Sequence, residues 1–260
     1  RGPSLTVSTA GSSGADAIST AAMLLLAGEA DAVLAVGAEA SLCPVVVAGL
    51  ASAHALSTNN DNPQTASRPF DKTRDGFVFG EGGGAILLET ETHAKARGAE
   101  IKARLLGFAN STDGYHVTAP HPDGIGAIAC MDHAIQKAGI RKDEIDYINT
   151  HGPSTPMGDA IETNAIKQLF GEHAYEMAVT STKGATGHMM GAGGVTEAIT
   201  CVKTIESGII PPTLNLTVPD EKCDLNYIPN KAEKRPVRYA MTNAFGFGGQ
   251  NSSLIFGTCD

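Results

Sequence analysis

Short apolar runs alternate along this chain with longer stretches whose apolar residues recur at helical spacing. That alternation restricts the chain to an α/β fold. Asp31–Val36, Gly84–Glu89, Tyr147–Thr150, Ala178–Ser181, Tyr239–Asn243 and Ser253–Phe256 read as buried strands. Leu5–Ser8 reads as a further strand, and so does Glu100–Ala109, with Ile101, Ala103, Leu105 and Gly107 on one side. Ser13–Ala27 reads as a buried helix closed near Gly28. Asp123–Ala138 carries Ile125, Ile128, Met131, Ala134, Ile135 and Ala138 at helical spacing. Thr155 can cap a helix that has Pro156 at its first position and Ile161, Ala165, Ile166 and Leu169 on its apolar face. Val195–Ile205 reads as a last helix with Gly208 as its C-cap. The glycines at 80–83 and 191–194 read as turns and close packing, since neither fits a phosphate-binding pattern. A break near Gly98 divides the chain into two α/β portions, residues 1–98 and 99–260.

Composition narrows the function. With 19 basic against 28 acidic residues the formal charge is -9, so a broad basic face for nucleic acid is not expected, while a local basic patch for an acidic partner stays open. The five cysteines (Cys43, Cys130, Cys201, Cys223 and Cys259) are odd in number and form no C-x-x-C pair. A disulfide scaffold or structural zinc is therefore not expected, and a reducing compartment is. The longest apolar run, Ala21–Ala27, is too short to span a bilayer.

The polar residues of interest sit where strands end, the usual place for chemistry in α/β proteins. Four segments stand out: Ser8-Thr9-Ala10-Gly11-Ser12-Ser13-Gly14; Asn149 to Asp159, which contains His151, Pro153 and Thr155; Ser181-Thr182-Lys183-Gly184-Ala185-Thr186-Gly187-His188; and Asn243-Ala244-Phe245-Gly246-Phe247-Gly248-Gly249-Gln250-Asn251. A lone histidine is most often a hydrogen-bonded core residue. His151 and His188 both follow strands at Gly-rich turns, which favours a functional reading. No third ligand stands at motif spacing, so the pair does not read as a metal site. His54, His93, His116, His121, His133 and His173 have no such context and read as structural.

In combination and order, these segments resemble the β-ketoacyl synthases, the condensing enzymes of fatty-acid and polyketide synthesis, over nearly all 260 residues. The resemblance implies a thiolase-like fold layered helix–sheet–helix–sheet–helix, here lacking its N-terminal opening segment, with that segment supplied as a second chain. It implies a decarboxylative Claisen condensation of acyl and malonyl thioesters. It implies an acyl carrier protein as partner, substrates carried on its phosphopantetheine arm, and no other cofactor. It also implies a homodimer of the whole enzyme in a bacterial cytoplasm or an organelle.

Residue by residue, the resemblance places the nucleophile at position 11. His151 and His188 become neutral donors to the enolate oxygen, an activity that would fall below about pH 6.5 as ordinary histidines protonate. Lys183 sets the electrostatics, with Glu197 as its partner. The backbone N–H groups of Phe247 and residue 11 form an oxyanion hole. Phe247 also gates the acyl pocket, while Phe245 and Thr155 contact substrate. Asp159 and Glu162 support the start of the helix.

The departures bear on activity. Gly11 has no side chain, so no acyl-enzyme can form there. Ser12 and Ser13 read as pointing elsewhere, without an activating base. Pro153 stands where the family usually has Thr. Two further readings follow: a malonyl-carrier-protein decarboxylase, or a non-catalytic chain-length-factor-like subunit.

Overall fold

The structure, a computed structural model, describes residues 2–259. In chain order the elements are α1 (Ser13–Leu26), β1 (Ala32–Glu39), α2 (Pro44–Ser52), β2 (Gly82–Glu89), α3 (Glu91–Ala96), β3 (Arg104–Thr112) and α4 (Ile125–Ala138). There follow β4 (Tyr147–Asn149), α5 (Pro156–Phe170), β5 (Ala178–Thr180), the single turn α6 (Lys183–Thr186) and α7 (Met190–Ser207). The short strands β6 (Ile209–Ile210) and β7 (Glu233–Lys234) precede the long pair β8 (Tyr239–Gly246) and β9 (Gln250–Gly257).

A five-stranded mixed sheet runs in the order β3-β9-β8-β4-β5, with β4 parallel to both β5 and β8 and the β8–β9 and β9–β3 pairs antiparallel. One face packs on α4 and α5 through Met131, Ile135, Ile148, Ile166 and Ile255. The other packs on α1 and α7 through Ile18, Tyr147, Val195 and Leu254. Each such side chain contributes about 1.5–3 kcal/mol by leaving water. On the far side of α1 and α7 lies the antiparallel pair β1–β2. The layers are therefore helices, sheet, helices, sheet. The outer face of β1–β2 is open: Leu34 and Leu87 pair across it and both are exposed.

A shared order links the two portions. A buried helix leads into an antiparallel strand pair twice, as α1 to β1–β2 and as α7 to β8–β9. In the second, the outer edges of β8 and β9 pair with β4 and β3. In the first, neither outer edge has a partner strand among the described residues.

The two buried helices approach closely because glycines face each other. A Cβ at Gly194 would lie 2.3 Å from the Ala15 nitrogen, and one at Gly14 would lie 2.7 Å from the Val195 nitrogen. Only hydrogen fits at either position. This bears out the close packing read at 191–194 and corrects the turn. The glycines are the first part of α7, five residues longer at its start than Val195–Ile205 suggests. The helix ends at Gly208 with φ 64°.

Three further expectations change. Residues 5–8 form no strand, for no neighbouring strand lies beside them among the described residues, and Leu5 is exposed. The glycines at 82 and 83 are not turn residues but the start of β2, paired with Glu39 and Ala38. The strand expected at 100–109 lies at 104–112, where β9 pairs with it across a register shift between Leu105 and Gly107.

Candidate active site

Both α1 and α7 begin at one cavity of about 280 Å³. Gly11, His151, Pro153, Thr155, Glu162, His188, Phe245 and Phe247 line it.

His151 follows β4, and His188 stands two residues ahead of α7. Their rings stand edge to face with centroids 5.1 Å apart. The Phe245 N–H donates to His151 Nδ1 at 3.3 Å, and the Met190 N–H donates to His188 Nδ1 at 3.2 Å. A neutral imidazole whose Nδ1 accepts carries its proton on Nε2, so each ring keeps one N–H donor uncommitted to the backbone. Burial holds both histidines well below the usual range, and the Lys183 charge adds to it. Protonation is therefore expected well below pH 6.5, a correction to the value read from ordinary histidines.

Lys183 forms a buried ion pair with Glu197 of α7. Burial raises the Glu197 carboxyl, and Lys183 opposes that rise. Glu162 of α5 clamps the turn that bears His151. Its carboxylate accepts the His151 and Gly152 N–H groups at 2.9 and 2.8 Å, and an Asn243 amide N–H at 3.2 Å. Asp159 accepts the N–H groups of Phe70, Ser154 and Thr155 and lies 3.4 Å from Arg74. Burial lifts Asp159 to about 7 against the pull of Arg74 and these donors. Thr155 caps α5, its Oγ1 accepting the Gly158 N–H at 3.1 Å. Phe245 lies against His151 with centroids 5.6 Å apart.

Gly11 forms part of the cavity wall. A Cβ there would lie 2.7 Å from the Phe245 carbonyl oxygen. The turn before it is strained, with Ala10 at φ 53°. The N–H groups of Gly11 and Phe247 have no protein acceptor among the described residues. Phe247 lies in the turn between β8 and β9 and is 37% exposed. Ser12 has a carboxylate neighbour after all, since its hydroxyl donates to Asp16 at 2.8 Å. Neither Ser12 nor Ser13 lines the cavity, because both hydroxyls turn back onto the backbone of residues 9 and 10.

The sequence reading missed several cavity residues. His54, read as structural, lines the wall and has φ 52°; Phe77 and Asp113 line it too, as does Asn251, which ends the fourth segment singled out in the sequence. Asp113 accepts from the Asn251 amide at 2.8 Å and from the His121 N–H at 2.9 Å. Among the described residues no group of three or more His, Cys, Asp or Glu side chains is arranged to hold a metal ion. Nor, among them, is any helix long and apolar enough to cross a membrane.

Known proteins resemble the chain in sequence and fold. The chain is 46% identical over 255 residues to 3-oxoacyl-[acyl-carrier-protein] synthase 2 of Coxiella burnetii, covering 98% of this chain and 62% of the relative. It is 48% identical to the mitochondrial 3-oxoacyl-[acyl-carrier-protein] synthase of Arabidopsis thaliana, of which it covers 56%. It thus spans about three fifths of the length of such relatives. A type II polyketide ketosynthase, solved with its acyl-carrier protein and bound to the hexaketide, superposes with a TM-score of 0.97 at 38% identity, over 99% of this chain and 64% of that one. A β-ketoacyl synthase from Burkholderia phymatum superposes with a TM-score of 0.92 at 40% identity, over 98% of this chain and 61% of that one. The family pattern for the β-ketoacyl synthase N-terminal domain matches residues 1–94, and that for the C-terminal domain matches residues 102–217. With both halves of one family pattern falling in order on a fold that superposes on its solved members, the chain belongs to the β-ketoacyl synthase family.

Proposed function

We propose that this protein is the greater part of a β-ketoacyl-carrier-protein synthase of fatty-acid or polyketide synthesis, and that its condensation step is disabled at Gly11. One observation carries the reading: two neutral histidines on one cavity, His188 buried and His151 half-buried, each with Nδ1 occupied by a backbone N–H and each left with an Nε2 proton to donate.

Such a pair suits a malonyl thioester held on the phosphopantetheine arm of an acyl carrier protein. The bond to the malonyl carboxylate breaks and carbon dioxide leaves. Its electron pair passes into the enolate, whose negative oxygen takes hydrogen bonds from His151 and His188. In a synthase with a cysteine at position 11, the enolate carbon would then attack the acyl thioester. Here it takes a proton from solvent, leaving an acetyl thioester. Lys183 and burial keep the histidines neutral, and Glu162 holds the backbone under His151. Phe247 and Gly11 offer backbone N–H groups to an acyl carbonyl, Phe245 packs against His151, and Thr155 borders the thioester arm. The lack of a residue-11 side chain also suits a non-catalytic partner subunit, but such a subunit needs neither neutral histidines nor a buried Lys183–Glu197 pair.

The open edges of β1 and β2 call for a polypeptide segment that supplies two strands and covers Leu34 and Leu87, as β3 and β4 do for the second portion. We assign that role to the part of the family's length beyond this chain, with a homodimer as the complete assembly. A bacterial cytoplasm or an organelle suits the five free thiols.

The test is labelled carbon dioxide release from malonyl-carrier protein, with that segment present. Slow release is expected. Equal release from the parent and from His188→Ala would overturn the assignment of the histidines.

A further inference from the structure

We propose that Glu39, at the end of β1, is a positioning residue that sets the tautomer of His188 by holding the first turn of α7. The inference rests on the reading of His188 as an enolate donor, and its test separates the two.

Helix α7 begins without a cap of its own. Met189 occupies the N-cap position and makes no side-chain cap bond. The first free N–H groups of the helix nevertheless have acceptors. Met190 N–H donates to His188 Nδ1 at 3.2 Å, and Gly191 N–H donates to Glu39 Oε2 at 3.2 Å. Glu39 thus caps α7 from a different strand and a different portion of the chain, where a carboxylate also complements the helix dipole.

The backbone it restrains is unrelaxed. Met190 has φ 37°, a conformation unfavourable for a residue with a side chain. Freed from Glu39, the turn can relax, and the direction of the Met190 N–H changes with it. The rest of His188 does not depend on this cap. Its own N–H donates to the Val78 carbonyl at 2.7 Å, and its carbonyl accepts from Gly80 at 3.0 Å. Release of Glu39 therefore acts on the ring nitrogen more than on the placement of the residue.

Glu39 is itself held in place. The Ser41 hydroxyl donates to its other oxygen. The loop beyond is tied by Leu42 N–H to Glu81 Oε1 at 2.8 Å.

The chemical consequence follows from imidazole. With Met190 N–H on Nδ1, the proton resides on Nε2. Without it, the Nδ1–H form gains population, and the cavity then faces a bare Nε2 lone pair that repels a developing enolate oxygen.

The experiment is nitrogen-15 NMR of histidine-labelled protein, co-expressed with the segment proposed above and with His188 assigned by difference against His188→Gln. In the parent, His188 Nδ1 should resonate as an unprotonated nitrogen and Nε2 as a protonated one. Glu39→Asp, one methylene short of Gly191, and Glu39→Ala should both move toward mixed shifts and lose about tenfold or more of the carbon dioxide release, a fraction of what removing a donor outright costs. Glu39→Gln keeps an acceptor oxygen and should keep the parent pattern. Parent-like shifts in Glu39→Asp would overturn the proposal, whether or not Glu39→Ala folds, and so would a Gln variant as altered as the Asp one. Absence of release in the parent would count against the enolate role alone, since the spectra decide the tautomer without substrate.

Discussion

The rings of His151 and His188 meet edge to face at 5.1 Å, yet each takes its backbone hydrogen bond from a different part of the fold, one from β8 and the other from the start of α7. Two elements thus converge to orient two equivalent donors. Removing either donor should cost on the order of a hundred- to a thousand-fold in carbon dioxide release. His151→Ala and His188→Ala, assayed with labelled malonyl-carrier protein, check this. A loss confined to one of them would show that only one contacts the enolate.

Release should persist as pH falls through 6.5. Burial and the Lys183 charge hold both histidines well below that value in the folded protein, so the neutral donor form survives there and is lost only further into acid. A pH profile of kcat/KM checks the sign: a fall centred near 6.5 would mean that the rings are solvated in the working enzyme.

Replacing Lys183 by Met strands the Glu197 carboxylate in the interior. Breaking a buried pair from one side typically costs about 3–5 kcal/mol. Lys183→Met should therefore unfold at distinctly lower urea, and Lys183→Met with Glu197→Leu should recover most of the loss. The single variant should also shift the acid limb of the release profile upward, because a positive charge that disfavours histidine protonation is gone.

Acyl loading should be absent in the parent and present in Gly11→Cys, read by intact mass after incubation with acyl-carrier protein. The new Cβ meets the Phe245 carbonyl at 2.7 Å, so the end of β8 must give way. Overpacking of this kind typically costs about 1–3 kcal/mol. A lower melting temperature together with a single acyl adduct at residue 11 is the expected pair of results. An adduct at Ser12 or Ser13 in the parent would contradict the orientation of those hydroxyls.

Residues 1–260 alone should lack a cooperative thermal transition, given the unpaired edges of β1 and β2 and the apolar outer face of that pair. Co-expression with the complementary segment should produce one. Calorimetry of the two preparations makes the comparison, and a sharp transition from the isolated monomer would remove the case for a partner segment.

Much of the site was legible because His151 stands in the turn that directly follows β4 and His188 in the glycine turn that follows the short helix α6, where local pattern and chemistry coincide. The α5 start was legible for a similar reason, with Thr155, Pro156 and the apolar spacing agreeing. What local pattern could not show was tertiary in origin. Gly191–Gly194 signals a turn until α1 is known to cross there. Leu5–Ser8 has strand composition but no neighbour among the described residues. His54 joins the cavity only through the path of the loop after α2. Asp16 reaches Ser12 from the next turn of α1, on the side away from the cavity.

The crossing of α1 and α7 has a bearing on the proposed reaction that no substrate contact reveals. Position 11 sits just ahead of one helix and His188 just ahead of the other, and the helices touch at Gly14 and Gly194. In the proposed reaction, were a cysteine at position 11, the gap between the carbon attacked and the enolate oxygen would thus be gauged by two hydrogen atoms. A methyl group at either glycine would act as a wedge, levering the two helix ends apart while leaving every side chain of the cavity unchanged in identity. Chemistry in this fold is held to distance by what those two positions lack.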